Sequence, residues 1–402
     1  MVSHQQLHAI FEISIRVKIG NSPPLPSQLR TLTLSSISAI LLPPAVFGGL
    51  VLTLWTYKCI MMVVFQNKII YMPSVPPFSR SDKVTDYINQ CRPVVWKEHD
   101  LRAADGTALK LLEGGVDLAA KHRKRVTVLY FQGNASSLPP RLPYLSAVLK
   151  ALDAAGDQTS EHRGYSIYAL SYRGFWTSRG RASQSGIELD AQAALTWLIQ
   201  NVRQDPHIDT TFVLWGQSIG AGVATTALAT LLTQQYLNAA GQQHQKLLNI
   251  HSLVLETPFL SIRSMLTALY PQKYLPYRYL WPFLRSTWDS GLAVKKIAVA
   301  ATAAAAGPAA SHPKPNPSSH NGPSAMVVTP IVRKVLILQA GRDEIVPAEQ
   351  SEALERICRE NLPSAIEVER VIVAGALHTE VMAKPQGRGA VVRHLRAAAE
   401  NH

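Results

Sequence analysis

Cysteine is scarce in this sequence. Cys59, Cys91 and Cys358 are scattered over 402 positions, too few and too far apart for a disulfide framework, and they leave the redox compartment open. No C-x-x-C and no H-E-x-x-H occurs, so the sequence implies no metal, and it implies no cofactor. Acidic residues are short too: 27 Asp and Glu stand against 40 Lys and Arg, a net charge of +13. The surplus is not organised as a zinc finger or another nucleic-acid motif, so nucleic acid is not an expected partner. Its densest run, Lys121-His122-Arg123-Lys124-Arg125, reads as a solvated loop before a strand. Attraction to anionic head groups is the functional alternative.

Charge is missing altogether from Thr31 to Tyr57. The span exceeds the roughly 20 apolar residues that a bilayer crossing needs. Trp55 and Tyr57 end it with interfacial aromatics, and Ile60–Phe65 extends it beyond Lys58. Residues 31–66 therefore read as a membrane anchor behind a flank at 1–30, giving a single pass near the N-terminus. Pro43-Pro44 predicts a kink. A cleaved signal peptide is the competing reading; a lead of about thirty residues, long for the segment before a signal's apolar core, and the lack of a convincing small-residue cleavage site argue against it. Lys and Arg flank both sides, so orientation is open. The endomembrane system is the expected location. Glu12 is the one acidic residue before Asp82, which keeps a mitochondrial presequence as the alternative.

Beyond the anchor, residues 68–402 alternate apolar strands with helices, which predicts an α/β fold with a mostly parallel sheet covered on both faces. Asp105-Gly106 between Val94–Leu101 and Ala108–Leu112 signals a hairpin. Residues 264–289 hold Tyr270, Tyr274, Tyr277, Tyr279, Trp281, Phe283 and Trp288. They read either as a cap over a cleft or as core packing. Residues 298–324, mostly Ala, Pro, Ser, Gly, His and Asn, read as a disordered loop without apolar surface to bury.

The chemistry centres on Phe212–Trp215, an apolar strand, followed by Gly216-Gln217-Ser218-Ile219-Gly220 and a helical stretch from Ala221. Strand, glycine turn, helix is the context in which G-x-S-x-G presents a nucleophile. A serine hydroxyl is weak at neutral pH and needs a base, itself oriented by an acid. Asp343 follows the apolar Val335–Leu338, and His378 follows the last strand, Val368–Val373. The order Ser, acid, His and the loop positions make Asp343 the acid and His378 the base. Glu256, at the end of an earlier strand, is the rival acid. The oxyanion donors would be the backbone N–H of Ile219 and that of Asn134, in the loop after Val126–Phe131. Gly133 would permit close backbone approach there. Asn134-Ala135-Ser136 is also a glycosylation sequon, which a glycan could use only by obstructing this site.

Several motifs in order carry a resemblance: Tyr71-Met72-Pro73-Ser74-Val75-Pro76-Pro77, Gln132-Gly133-Asn134-Ala135, Ser171-Tyr172-Arg173-Gly174, Gly216–Gly220 and Gly341-Arg342-Asp343. From about Lys68 onward the sequence resembles the fungal bud-emergence (Bem) family, related to mammalian membrane-anchored α/β-hydrolase-domain acyl hydrolases. The resemblance implies an α/β-hydrolase fold, an N-terminal anchor and the triad Ser218, Asp343 and His378. Departures are Gln132 where His usually precedes Gly-Asn, Ser171 for a common Asp, and Thr379 where Asn usually follows the His. The expected function is a membrane-anchored serine hydrolase of acyl esters or thioesters, its partners the bilayer and an acylated lipid or protein. The alternatives are a catalytically inactive scaffold on the same fold and a serine peptidase.

Overall fold

The computed structural model describes residues 27–118, 124–156, 163–202, 208–240, 250–306 and 332–400. The N-terminal flank through residue 26, the start of the basic run at 121–123 and residues 307–324 of the Ala/Pro/Ser stretch lie outside them. In chain order the elements are α1 (Ser27–Val64), α2 (Gln66–Tyr71), α3 (Ile88–Cys91), β1 (Val95–Arg102), β2 (Ala108–Gly115), β3 (Lys124–Phe131), α4 (Leu142–Gly156), β4 (Arg163–Ser171), α5 (Gln184–Asn201), β5 (Asp209–Gln217), α6 (Ile219–Ala240), β6 (Ile250–Glu256), α7 (Ile262–Leu269), α8 (Ser290–Ala306), β7 (Lys334–Ala340), α9 (Ala348–Asn361), β8 (Glu367–Val373) and α10 (Pro385–Glu400).

The chain divides into two compact units, Met1–Lys58 and Cys59–His402. Within α1, Leu41–Val64 is long and apolar enough to cross a membrane, and its side chains are not buried. Pro43 and Pro44 lie inside this helix.

The second unit is built on one eight-stranded sheet in the order β1-β2-β4-β3-β5-β6-β7-β8. β1 and β2 form the antiparallel hairpin expected around Asp105-Gly106, with Gly106 at φ +81°, a conformation that glycine adopts without strain. β2 is antiparallel to β4, and every pairing from β4 across to β8 is parallel. The central strands are buried on both faces because successive side chains enter opposite layers. Phe212 and Leu214 of β5 join the layer packed with α5, α6 and α8. Val213 and Trp215 join the layer with α4 and α10. Each large side chain so buried contributes about 1.5–3 kcal/mol relative to exposure. Two such layers fix the register, since a one-residue slip would exchange every side chain between them.

One expectation is corrected here. Residues 298–306 continue α8; they do not form a loop. Alanine supplies helix propensity without apolar bulk, and Ala298 and Ala300 are buried in the core.

Candidate active site

β5 ends at Gln217 and α6 begins at Ile219, so Ser218 makes the turn alone. Its φ is +54°, a left-handed conformation that costs a non-glycine residue energy. The surroundings hold it there. The Ser218 N–H donates to the Glu256 carbonyl at 2.8 Å, and the Ala221 N–H donates to the Ser218 carbonyl at 2.9 Å. A Cβ on Gly216 would overlap the Gly220 carbonyl, and one on Gly220 would overlap the Phe131 carbonyl. These two glycines are required by the closeness of strand, turn and helix. Gly133 is not: a Cβ there would meet Gln217 and Ser218 at an ordinary 3.5 Å. Ser218 is buried to 6% exposure and lies, with Ile219 and Asn134, on a cavity of about 320 Å³.

Asp343 and His378 follow β7 and β8 and meet at the same carboxyl edge of the sheet. His378 Nδ1 is 3.0 and 2.9 Å from the two Asp343 oxygens. Asp343 Oδ1 also accepts the N–H groups of Ile345 at 3.0 Å and Val346 at 2.7 Å, which fixes the carboxylate's orientation. The His378 N–H donates to Glu344 Oε2 at 2.9 Å, holding the loop. Among the described residues no hydrogen bond joins Ser218 Oγ to His378.

Glu256 is otherwise occupied. It is fully buried, and its carboxyl oxygens accept Trp215 Nε1–H and Gln217 Nε2–H, each at 3.1 Å. Burial pushes its pKa up to about 7, opposed by Arg141 and by these hydrogen bonds. It therefore props the strand beneath Ser218, while Asp343 pairs with the imidazole. His394 is buried in α10 with Nε2 on Ser252 Oγ at 2.8 Å. Burial drives its pKa down to about 3, the behaviour of a packed neutral ring.

Ile219 is the first residue of α6, so its N–H has no intrahelical partner and lies at the positive end of the helix. Asn134 is half-buried beside it on the cavity wall. Its loop is tightly held. Ala135 and Ser136 have φ near +60°, the Ala135 N–H donates to the Tyr71 carbonyl at 2.9 Å, and Tyr172 O–H donates to the Gln132 carbonyl at 2.9 Å. Both tyrosines stand in the motifs that carry the resemblance, and nothing local in the sequence marks this role. Arg173, next to Tyr172, makes ion pairs to Asp190 at 2.8 Å and Asp105 at 2.6 Å, tying β4 to α5 and to the hairpin.

The aromatic stretch at 264–289 divides. Trp288 is fully buried in the core and Tyr277 nearly so, whereas Tyr274, Tyr279, Trp281 and Phe283 are exposed. Phe283 lines the cavity; the Trp281 ring lies under Arg263, 3.9 Å away. Among the described residues no cluster of His, Cys, Asp and Glu is placed to hold a metal ion.

Known proteins resemble this chain in sequence. The model of the alpha/beta hydrolase family matches residues 134–386. The chain is 30% identical over 227 residues to the Arabidopsis thaliana alpha/beta hydrolase domain-containing protein WAV2, covering 56% of this chain and 60% of that one. It is 32% identical over 148 residues to protein bem46 of Schizosaccharomyces pombe, covering 37% and 40%. It is 29% identical over 152 residues to the lysophosphatidylserine lipase ABHD12 of Xenopus tropicalis, covering 34% of each. The matches thus span between a third and three fifths of these relatives' lengths. With the family match running through more than half the chain, from the Asn134 loop past His378, this chain belongs to the alpha/beta hydrolase family and is kin to its Bem46-like members.

Proposed function

We propose that this chain is a membrane-anchored serine hydrolase that cleaves acyl ester or thioester bonds through Ser218, His378 and Asp343. One observation carries the reading: the His378–Asp343 pair, with Nδ1 on both carboxylate oxygens at 2.9–3.0 Å, stands at the sheet edge where strained Ser218 borders an apolar cavity. Asp343 fixes Nδ1–H as the donor and leaves Nε2 free as the base. His378 takes the Ser218 proton as Oγ adds to the acyl carbonyl. The oxyanion is held by the N–H groups of Ile219 and Asn134. His378 then returns the proton to the departing alcohol or thiol, and water, deprotonated the same way, releases the acid.

The substrate's acyl part is apolar. The cavity is walled by Phe259, Met265, Leu266, Phe283 and Ile345 among others, a mostly apolar lining that suits a hydrocarbon better than a peptide main chain. The lipase name of the Xenopus relative agrees with this choice of a lipid over a peptide. A fluorophosphonate probe should label the wild type and not Ser218→Ala. Failure of the folded wild type to label would favour the scaffold. In detergent, kcat/KM should rise at least about ten-fold from acetyl to octanoyl esters, since each buried methylene contributes about 0.8 kcal/mol. A preference for acetyl esters, or faster cleavage of peptides, would overturn the acyl reading.

A further inference from the structure

The cavity at Ser218 has two walls of different origin. One comes from α7 and the turns after it. The other is made by Met62, Val63, Gln66, Ile69, Ile70 and Met72, from the last turn of α1 through α2 and the residue after it. We infer that this end of the apolar helix is the acyl-chain wall of the site, so that the segment leaving the bilayer is also part of the substrate-binding surface, and that its occupant is a single hydrocarbon chain of an amphiphilic ester. The inference rests on the proposed reading of Ser218 and α1.

Chemistry and fixation both support it. Five of the six side chains on this wall are apolar. The sixth, Gln66, is buried, and its amide is fully used: Nε2 donates to Val63 O at 2.9 Å and to Phe283 O at 3.0 Å, and Oε1 accepts the Arg285 N–H at 2.6 Å. With both donors and its carbonyl engaged, it offers the cavity only its methylenes. A head group or peptide bond placed there would lose its hydrogen bonds to water without replacement; a hydrocarbon loses none.

The wall is also clasped in place. The Arg285 guanidinium donates to Val63 O at 2.9 Å and Val64 O at 3.0 Å, two carbonyls of the α1 terminus. Tyr71 O–H is bonded to Ser286 Oγ and Trp288 Nε1, each at 2.9 Å. Its carbonyl holds Ala135, next to the oxyanion candidate Asn134. The acyl wall and the oxyanion loop thus share one anchor point. The same turn of α1 faces both ways. Ile60 and Val64, four residues apart, are more than half exposed, while Met62 and Val63 border the cavity.

The test fills the wall. In the full chain in detergent, Val63→Trp and Ile69→Trp should each lower the octanoyl-to-acetyl ratio of kcat/KM at least ten-fold. Ile60→Trp, outside the cavity, should change that ratio less than two-fold. Melting temperatures identify a variant that fails to fold, and the other then decides. In parallel, Ser218→Ala protein should bind dodecanoic acid, and adding Ile69→Trp should weaken that binding ten-fold. An unchanged ratio and unchanged binding in the folded variants would overturn the wall. So would an equal loss in Ile60→Trp. If no ester is hydrolysed by the wild type and yet binding falls as expected, the hydrolase reading fails and the wall stands.

Discussion

At the residue scale, the proposed chemistry rests on which carboxylate serves the histidine. The sequence allowed two, Glu256 and Asp343, because each ends an apolar strand. Geometry separates them by their other partners. Glu256 is buried under two neutral donors and tuned up to about 7, whereas Asp343 has two backbone N–H groups and the imidazole. Asp343→Asn retains an oxygen for the Ile345 and Val346 N–H groups but turns an NH₂ toward Nδ1. That reverses the tautomer and removes the charge that stabilises the imidazolium. The expected outcome is a loss of about 10⁴ in kcat with the melting temperature nearly unchanged. Ester hydrolysis and thermal melts would check both halves. Glu256→Gln should show the opposite pattern, a folding loss from disturbed Trp215 and Gln217 hydrogen bonds. An Asp343→Asn enzyme of normal turnover beside an inactive, well-folded Glu256→Gln would mean that the acid is misassigned.

At the element scale, most of the sheet and its helices were legible because burial on two faces writes continuous apolar runs, as in Val126–Phe131 and Val335–Leu338. The glycine turn was legible because Gly216 and Gly220 mark a steric crossing. Two things were not. Composition made 298–306 look structureless, yet alanine serves a helix and a disordered tract equally well, and only packing on α6 distinguishes them. The Tyr71 and Tyr172 props were hidden because each bonds a backbone carbonyl or amide far away in the chain, a relation that leaves no local pattern. The correction carries a prediction. Deleting 298–324 and closing the gap with a short linker removes the buried Ala298 and Ala300 and the last turns of α8. It should cost about 1–3 kcal/mol, seen as a fall of several degrees in the melting temperature. A deletion protein that melts like the full chain would show that the end of α8 contributes nothing to the core.

At the scale of the whole molecule, the question is whether α1 enters a bilayer. Leu41–Val64 is 24 residues with mean hydropathy 1.6 and no buried side chains. At about 1.5 Å per residue, it is roughly 36 Å long, against a hydrocarbon core of about 30 Å. A helix that exposes Leu41, Leu42, Phe47, Leu50, Leu52 and Leu54 more than half each presents the kind of apolar surface that marks a membrane or protein contact. Lys58 is the one charge inside the span, six residues from its end, where a long side chain can carry its ammonium to the interface. On the proposed reading a bilayer covers this surface, and the net charge of +13 would add attraction to anionic lipid. The full chain should therefore stay with the membrane pellet through high salt and alkaline carbonate and leave only in detergent. High salt strips a protein held by its charge alone, and carbonate strips one held by partners, so survival of both washes isolates the helix as the attachment. Replacing Leu50 and Leu54 by Arg places two charges near the middle of the span, each costing roughly 2.5–3.5 kcal/mol on insertion. That variant should shift to the carbonate supernatant. If the wild-type chain is itself released by carbonate, α1 is not a spanning anchor. If the membrane-bound protein has lost its residues before Cys59, α1 acted as a leader.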